Sequence, residues 1–230
     1  GPDNVRQKVR KRKPSERITD FNEVSLGFDE AQAKLEARRC IQCPDPKCIV
    51  ACPVGIDVPR FIEQIKKNDF IKAANVIRER NGIPRVTGRV CPQEKLCEEA
   101  CILSKTGHPI AIGALERFAA DRGEDIDLSK RKSSGKKVAT IGSGPASLTA
   151  AVDLAKLGHK ITMFEALHEP GGVLVYGIPE FRLPKEIMRK SIGYVESIGI
   201  KIEKNIVIGK SMTIEELFDL GYDAIFIGSG

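Results

Sequence analysis

All seven cysteines of this 230-residue chain fall between Cys40 and Cys101, and that confinement constrains the fold more than any other feature. An odd number of thiols cannot all pair as disulfides. Crowded into one stretch of a chain with no export signal, they read as the frame of a metal centre in a reducing compartment. They form two groups, Cys40-x2-Cys43-x4-Cys48-x3-Cys52-Pro53 and Cys91-x5-Cys97-x3-Cys101. The i,i+4 spacing of Cys97 and Cys101, and of Cys48 and Cys52, predicts that each pair shares a helix face and converges on a buried centre.

Four thiolates make the usual shell of a [4Fe-4S] cluster, and a cysteine run ending in Cys-Pro is the ferredoxin-like pattern whose last cysteine serves the other cluster. Zinc is the rival. Only Cys40 and Cys43 form a clean knuckle, and His108, His159 and His168 lie outside the cysteine runs, where they read as surface or capping residues. Spacing favours iron–sulfur and leaves zinc open. Two clusters of four ligands each need one more ligand than the seven cysteines supply.

The length suits one or two domains. Residues 1–18 are charged without an apolar period and read as a basic arm that orders only against a neighbour, carrying much of the net charge of +6. Such a block binds polyanions without specificity; it has no interleaved aromatics, so no specific nucleic-acid partner is expected. No apolar run reaches the roughly 18–20 residues that cross a bilayer, so the reading is soluble and cytoplasmic, with no membrane insertion.

Residues 19–130 read as a helical iron–sulfur domain. Helices are predicted over Phe28 to Arg39, from Asp57-Val58-Pro59 with a break near Asn68, over a turn or two from Pro92 to Ala100, and over Ile110 to Arg122. No strand is needed before residue 135. Residues 131–136 read as a linker, and 137–230 as the start of an α/β domain: strands at Val138 to Ile141, Lys160 to Phe164 and Ala224 to Ile227, helices at Pro145 to Leu157 and Thr213 to Leu220. Strands alternating with helices imply a parallel sheet.

The first of those strands runs into Gly142-Ser143-Gly144-Pro145-Ala146-Ser147, a G-x-G-x-x-S form of the dinucleotide-binding fingerprint placed between strand and helix. Gly142 permits the tight turn, Gly144 the close approach of a pyrophosphate, and the helix N-terminus meets its charge. Ser147 stands where Gly or Ala is usual. Glu165 ends the next strand, where a carboxylate accepts the hydroxyls of an adenosine ribose. The residues alone leave FAD and NAD open.

The segments RRCIQCPDPKCIVACPVGIDVPRFI, GRVCPQEKLCEEAC and HPIAIGALERFAAD together resemble the N-terminal iron–sulfur domain shared by the glutamate synthase small subunit, dihydropyrimidine dehydrogenase and the large subunit of NADH-dependent reduced ferredoxin:NADP oxidoreductase. The wording CPDPKCIVACPVGID resembles the last of these, and the related homotetrameric-type glutamate synthase subunit, more than the bacterial glutamate synthase small subunit. The resemblance implies an α-helical bis-[4Fe-4S] ferredoxin-like domain followed by an incomplete Rossmann-type FAD-binding domain. It assigns Cys40, Cys43, Cys48 and Cys101 to one cluster and Cys52, Cys91 and Cys97 to the other. Glu116, just after Ile112-Gly113-Ala114-Leu115, becomes the eighth ligand.

The stretch GGVLVYGIPEFRLPK resembles the flavin branch of that family. It implies that Gly172 and Val173 lie near the FAD diphosphate or ribityl chain, that Arg182 donates to the cofactor and that Val207, in the third strand region, presents backbone to adenine. Relatives continue into an NADPH-binding domain, so the chain reads as a fragment. The implied function is electron transfer between NADPH, FAD and two [4Fe-4S] clusters, no acid–base residue being needed because the cofactors carry the chemistry. By the same resemblance it is flavin-based electron bifurcation with ferredoxin, NAD and a small flavin/[2Fe-2S] subunit. The alternatives are the NADPH-oxidising small subunit of glutamate synthase, partnered by its large subunit, and, in another class, a zinc-stapled nucleotide-binding adaptor.

Overall fold

The computed structural model describes residues 5–123 and 131–230, which divide into two compact units. The first comprises residues 1–124 and the segment Glu180–Pro184; the second comprises residues 125–179 and 185–230.

The first unit opens with β1 (Arg10–Lys11), α1 (Pro14–Arg17) and β2 (Ser25–Gly27), with β1 pairing antiparallel to β2. This corrects the expectations of a free arm and of no strand before residue 135. The basic block is anchored because its charges find partners within the unit: Arg12 grips both oxygens of Asp20 at 2.6 Å, and Arg6 reaches Glu98 at 2.6 Å. Val9 packs against the apolar core.

Helix α2 (Glu30–Arg38) is capped by Asp29 and leads to Cys40. After the one-turn α3 (Lys47–Val50) come α4 (Val58–Lys66) and α5 (Phe70–Arg78), capped by Asp57 and Asp69 and separated at Asn68, whose φ of 62° stops the helix. Val58, Phe61, Ile62 and Ile65 recur at helical spacing on α4 and are all buried. Helices α6 (Pro84–Val90) and α7 (Ile112–Arg122) complete the unit, with Leu115, Phe118 and Ala119 of α7 joining the α4 and α5 residues in one core. Sequence reasoning missed α6.

The helical-face expectation for the cysteine pairs is corrected. Cys97 lies in turns, and Cys101 precedes a 3₁₀ segment at Ile102–Thr106. Helix α3 ends before Cys52. Apart from Cys48, which sits on the one-turn α3, the thiols are presented by loops and turns. Residues 124–130, at the predicted boundary, lie outside the described residues.

The second unit contains β3 (Lys137–Ile141), α8 (Pro145–Lys156), β4 (Lys160–Phe164), α9 (Val173–Tyr176), α10 (Lys185–Ser197), β5 (Lys201–Glu203), α11 (Ile214–Asp219) and β6 (Ala224–Ile227). The four strands form one parallel sheet in the order β5-β4-β3-β6. Helix α10 was not anticipated, and the strand expected around Val207 lies earlier, as β5 at Lys201–Glu203. The predicted linker packs on this unit: Ser134 N donates to Gly158 O at 3.0 Å and Arg131 Nη1 to Ile198 O at 2.9 Å.

Candidate iron–sulfur centres and dinucleotide loop

All seven cysteines are free thiols, most of them half-buried, with Cys97 buried. Cys40, Cys43, Cys48 and Cys101 line a single cavity of about 640 Å³, walled by Val58, Ile62, Ile110 and Ile112. Burial, and then the neighbouring Cys40, Cys101 and Cys43, push the Cys48 thiol up to about 12. Cys40 is also raised, chiefly by burial, with Cys101 and Cys43 adding to it. Gln42, at φ 53°, directs Nε2 to the Cys40 sulfur at 3.5 Å. Arg39, beside Cys40, is held by the fully buried Glu36 at 2.7 Å and by His108 O at 2.6 Å.

The other thiols gather elsewhere. Burial pushes Cys91 up to about 11, with Glu116 and Cys52 acting on it. Cys97 is raised by burial, then by Glu98, Glu116, Cys52 and Cys91. Glu116 is 5% exposed. Its Oε1 accepts from Thr87 Oγ1 at 2.6 Å and from Asn81 Nδ2 at 3.1 Å, and both donors fall on that one oxygen. Burial raises its carboxyl from 4.5 to about 7 despite them. The donor set of unpaired, mostly half-buried thiols with one buried carboxylate fits inorganic iron–sulfur centres. Among the described residues, no three His, Cys, Asp or Glu side chains gather as tightly as a single metal ion needs.

The loop after β3 lies where the strand order reverses, between β3 and β6, at the carboxyl edge where open parallel sheets bind ligands. Gly142 has φ 87°, and a Cβ there would meet Gly228 O at 2.6 Å. Gly144 caps α8, Pro145 takes the first helical position, and a Cβ on Gly144 would meet nothing within 4 Å. That gap at a helix N-terminus is the space a pyrophosphate fills. Ala146 is exposed on the first turn; Ser147 is buried, its hydroxyl donating to Gly228 O at 3.3 Å and Ile141 O at 3.4 Å. Gly172, at φ 54°, crosses so close to the loop that a Cβ would stand 3.0 Å from Gly144 Cα, and Val173 is exposed after it.

Glu165 reaches this loop but is already engaged. Ser143 N donates to its Oε2 at 2.9 Å, Ser143 Oγ makes a second, short bond to the same oxygen, and Leu167 N donates to Oε1 at 2.8 Å. Gly171 N donates to Ser143 Oγ at 2.8 Å. Sequence reasoning missed Ser143; its only signal was its place between the two glycines. Val207 lies beyond β5 rather than in it, its N–H on Ser211 Oγ at 3.3 Å and its carbonyl taken by Lys210 and Ser211. Arg182 belongs to the first unit, where it lines a second cavity with Cys91, Gln93 and Glu98.

Residues 17–127 match the family model described as dihydropyrimidine dehydrogenase domain II, 4Fe-4S cluster, and residues 140–177 match the NAD(P)-binding Rossmann-like domain. Fold and site thus define a helical 4Fe-4S domain followed by a Rossmann-type dinucleotide domain. Along most of its length the chain is similar to iron–sulfur oxidoreductases that include glutamate synthase small chains and dihydropyrimidine dehydrogenase subunits. It is 37% identical to the glutamate synthase (NADPH) small chain of Escherichia coli K12 over 93% of its length and 46% of the relative's. It is 42% identical to the NAD-dependent dihydropyrimidine dehydrogenase subunit PreT of Escherichia coli O157:H7, over 86% of the chain and 48% of the relative. A putative oxidoreductase of Escherichia coli K12, UacF, is 37% identical over the whole chain and 36% of the relative. The chain spans less than half the length of each. Among the described residues no helix is long and apolar enough to cross a membrane.

Proposed function

We propose that this chain is the electron-relay portion of a flavin-dependent oxidoreductase, with one [4Fe-4S] cluster on Cys40, Cys43, Cys48 and Cys101 and a second on Cys52, Cys91, Cys97 and Glu116. The observation that carries the proposal is the partition of the free thiols: Cys40, Cys43, Cys48 and Cys101 line one cavity, Cys91 lines another, and Cys97 has Glu116, Cys52 and Cys91 as neighbours. The match of residues 17–127 to a 4Fe-4S family model supports it. The second unit would bind FAD, with Gly142, Gly144 and the start of α8 on the pyrophosphate, Glu165 toward the ribose, and Gly172 and Val173 beside the chain that follows. Bound there, FAD would supply hydride acceptance from NADPH and release of single electrons, and clusters on the two thiol sets would supply one-electron transfer.

The chain's own residues bind, orient and insulate. Val58, Ile62, Ile110 and Ile112 keep the first cavity apolar. Low polarity and the hydrogen bond from Gln42 to the Cys40 sulfur tune the centre held there. Thr87 and Asn81 fix one oxygen of Glu116 and turn the carboxylate toward the second set. Unpaired thiols of this kind suit a reducing cytoplasm.

The destination of the electrons follows from the resemblance to the ferredoxin:NADP oxidoreductase large subunit: bifurcation to ferredoxin and NAD with a small flavin/[2Fe-2S] subunit. The second reading rests on the similarity to the glutamate synthase small chain and sends electrons to a large glutamate-forming subunit. Anaerobic purification with co-eluting partners separates them. NADPH-driven reduction of ferredoxin that requires NAD supports bifurcation; glutamate formed from glutamine and 2-oxoglutarate replaces it with the second reading.

A further inference from the structure

We propose that Arg6 and Glu98 form an electrostatic pair that sets the reduction potential of the centre on Cys52, Cys91, Cys97 and Glu116. Glu98 lowers the potential and Arg6, brought in by the N-terminal segment, raises it back. The inference rests on the cluster reading above. Glu98 is the residue after Cys97 and is 7% exposed. Its Oε1 accepts from Gly113 N at 3.1 Å, in the first turn of α7, the helix that bears Glu116. Its Oε2 accepts from Arg6 Nη2 at 2.6 Å, while Arg6 Nη1 donates to Pro109 O at 2.6 Å. Arg6, Glu98, Gly113 and Cys91 line one cavity.

Reduction adds negative charge to a cluster. A neighbouring carboxylate therefore makes reduction harder and a neighbouring guanidinium makes it easier, both more strongly where water is excluded. Glu98 adjoins Cys97 in the chain and lines one cavity with Cys91, and it is not part of the cavity lined by Cys40, Cys43, Cys48 and Cys101. Its charge therefore bears chiefly on the second centre. A plainer role also exists for Glu98, because α7 has no capping side chain of its own and Glu98 serves its first turn from outside. Glutamine separates the two roles: Glu98→Gln keeps a carbonyl for Gly113 N and removes the charge.

The test is a redox titration of the cluster-loaded full chain, followed by electron paramagnetic resonance, for Arg6→Gln, Arg6→Lys, Glu98→Gln and the Arg6→Gln/Glu98→Gln double variant. Arg6→Gln moves the second centre to lower potential and Glu98→Gln to higher potential. The double variant lies between them, Arg6→Lys stays near the parent, and the first centre moves least. Equal shifts of one sign from Arg6→Gln and Glu98→Gln, or no shift in iron-loaded protein, overturn the pair's role. Should Glu98→Gln fail to fold, Arg6→Gln against Arg6→Lys decides alone, since Arg6 is on the rim. A parent protein without a second cluster would instead remove the reading on which the inference rests.

Discussion

Thr87 Oγ1 donates to Glu116 Oε1 at 2.6 Å, joining α6 to α7 across 29 positions of sequence beside the second group of thiols. A buried carboxylate held by one oxygen has the other available for iron. Glu116→Ala is therefore expected to perturb one cluster's spectrum and leave the other intact. Unchanged visible and paramagnetic spectra for both clusters would remove Glu116 from the ligand set.

The same residue gives the iron-free protein a pH dependence. Its folded-state carboxyl is raised from 4.5 to about 7 by burial. Between those values the folded chain binds the proton more than the unfolded chain does, so stability falls as pH rises through that window, by ~3 kcal/mol. Denaturant unfolding of iron-free protein at pH 5 and pH 7.5 measures the difference, and Glu116→Gln should flatten it. A slope of opposite sign would contradict the buried, proton-binding carboxyl.

The partition of ligands makes the two centres separately removable. Cys43→Ala is expected to cost about half the iron and leave the second centre's signal, while Cys91→Ala costs the other half. Because burial raises Cys48 to about 12 and Cys91 to about 11, cluster assembly must displace protons. Cluster loss should therefore quicken as pH falls. Either cysteine variant abolishing both signals in folded protein would mean that the centres do not have separate ligand shells.

In the second unit Ser143 holds Glu165 through two atoms and Gly171 through a third contact. A hydrogen bond to a charged group contributes roughly 1.5–3 kcal/mol. Ser143→Ala is thus expected to weaken FAD binding about tenfold, with much less effect when Glu165 is already Gln. Additive losses in the double variant would show that Ser143 does not act through Glu165.

Gly142→Ala tests the turn itself. The φ of 87° disfavours any side chain, and the new Cβ would press on Gly228 O at 2.6 Å. FAD retention should be lost and the second unit should melt earlier, with both cluster signals kept. Full flavin retention would place the dinucleotide elsewhere.

The parts of this molecule legible in sequence were those fixed by local chemistry. Asp57 and Thr213 announce helix starts because each accepts from a backbone N–H three residues on. The Gly142–Gly144 turn between strand and helix was legible for the same reason. The anchored N-terminal segment was not, because its charges are neutralised at a distance: Arg6 finds Glu98, 92 positions away. An amphipathic period cannot report such a contact. The helical pairing of Cys97 with Cys101 failed because spacing alone cannot separate a helix face from successive turns. Val207 was placed in a strand that ends at Glu203, four residues short of it.

The most direct test of two centres in two ligand shells is the determination of iron, acid-labile sulfide and zinc on one anaerobically purified sample, with paramagnetic resonance of the reduced protein. About eight irons and eight sulfides per chain, negligible zinc and signals from two clusters are predicted. About four irons, or zinc in place of iron, would contradict the account.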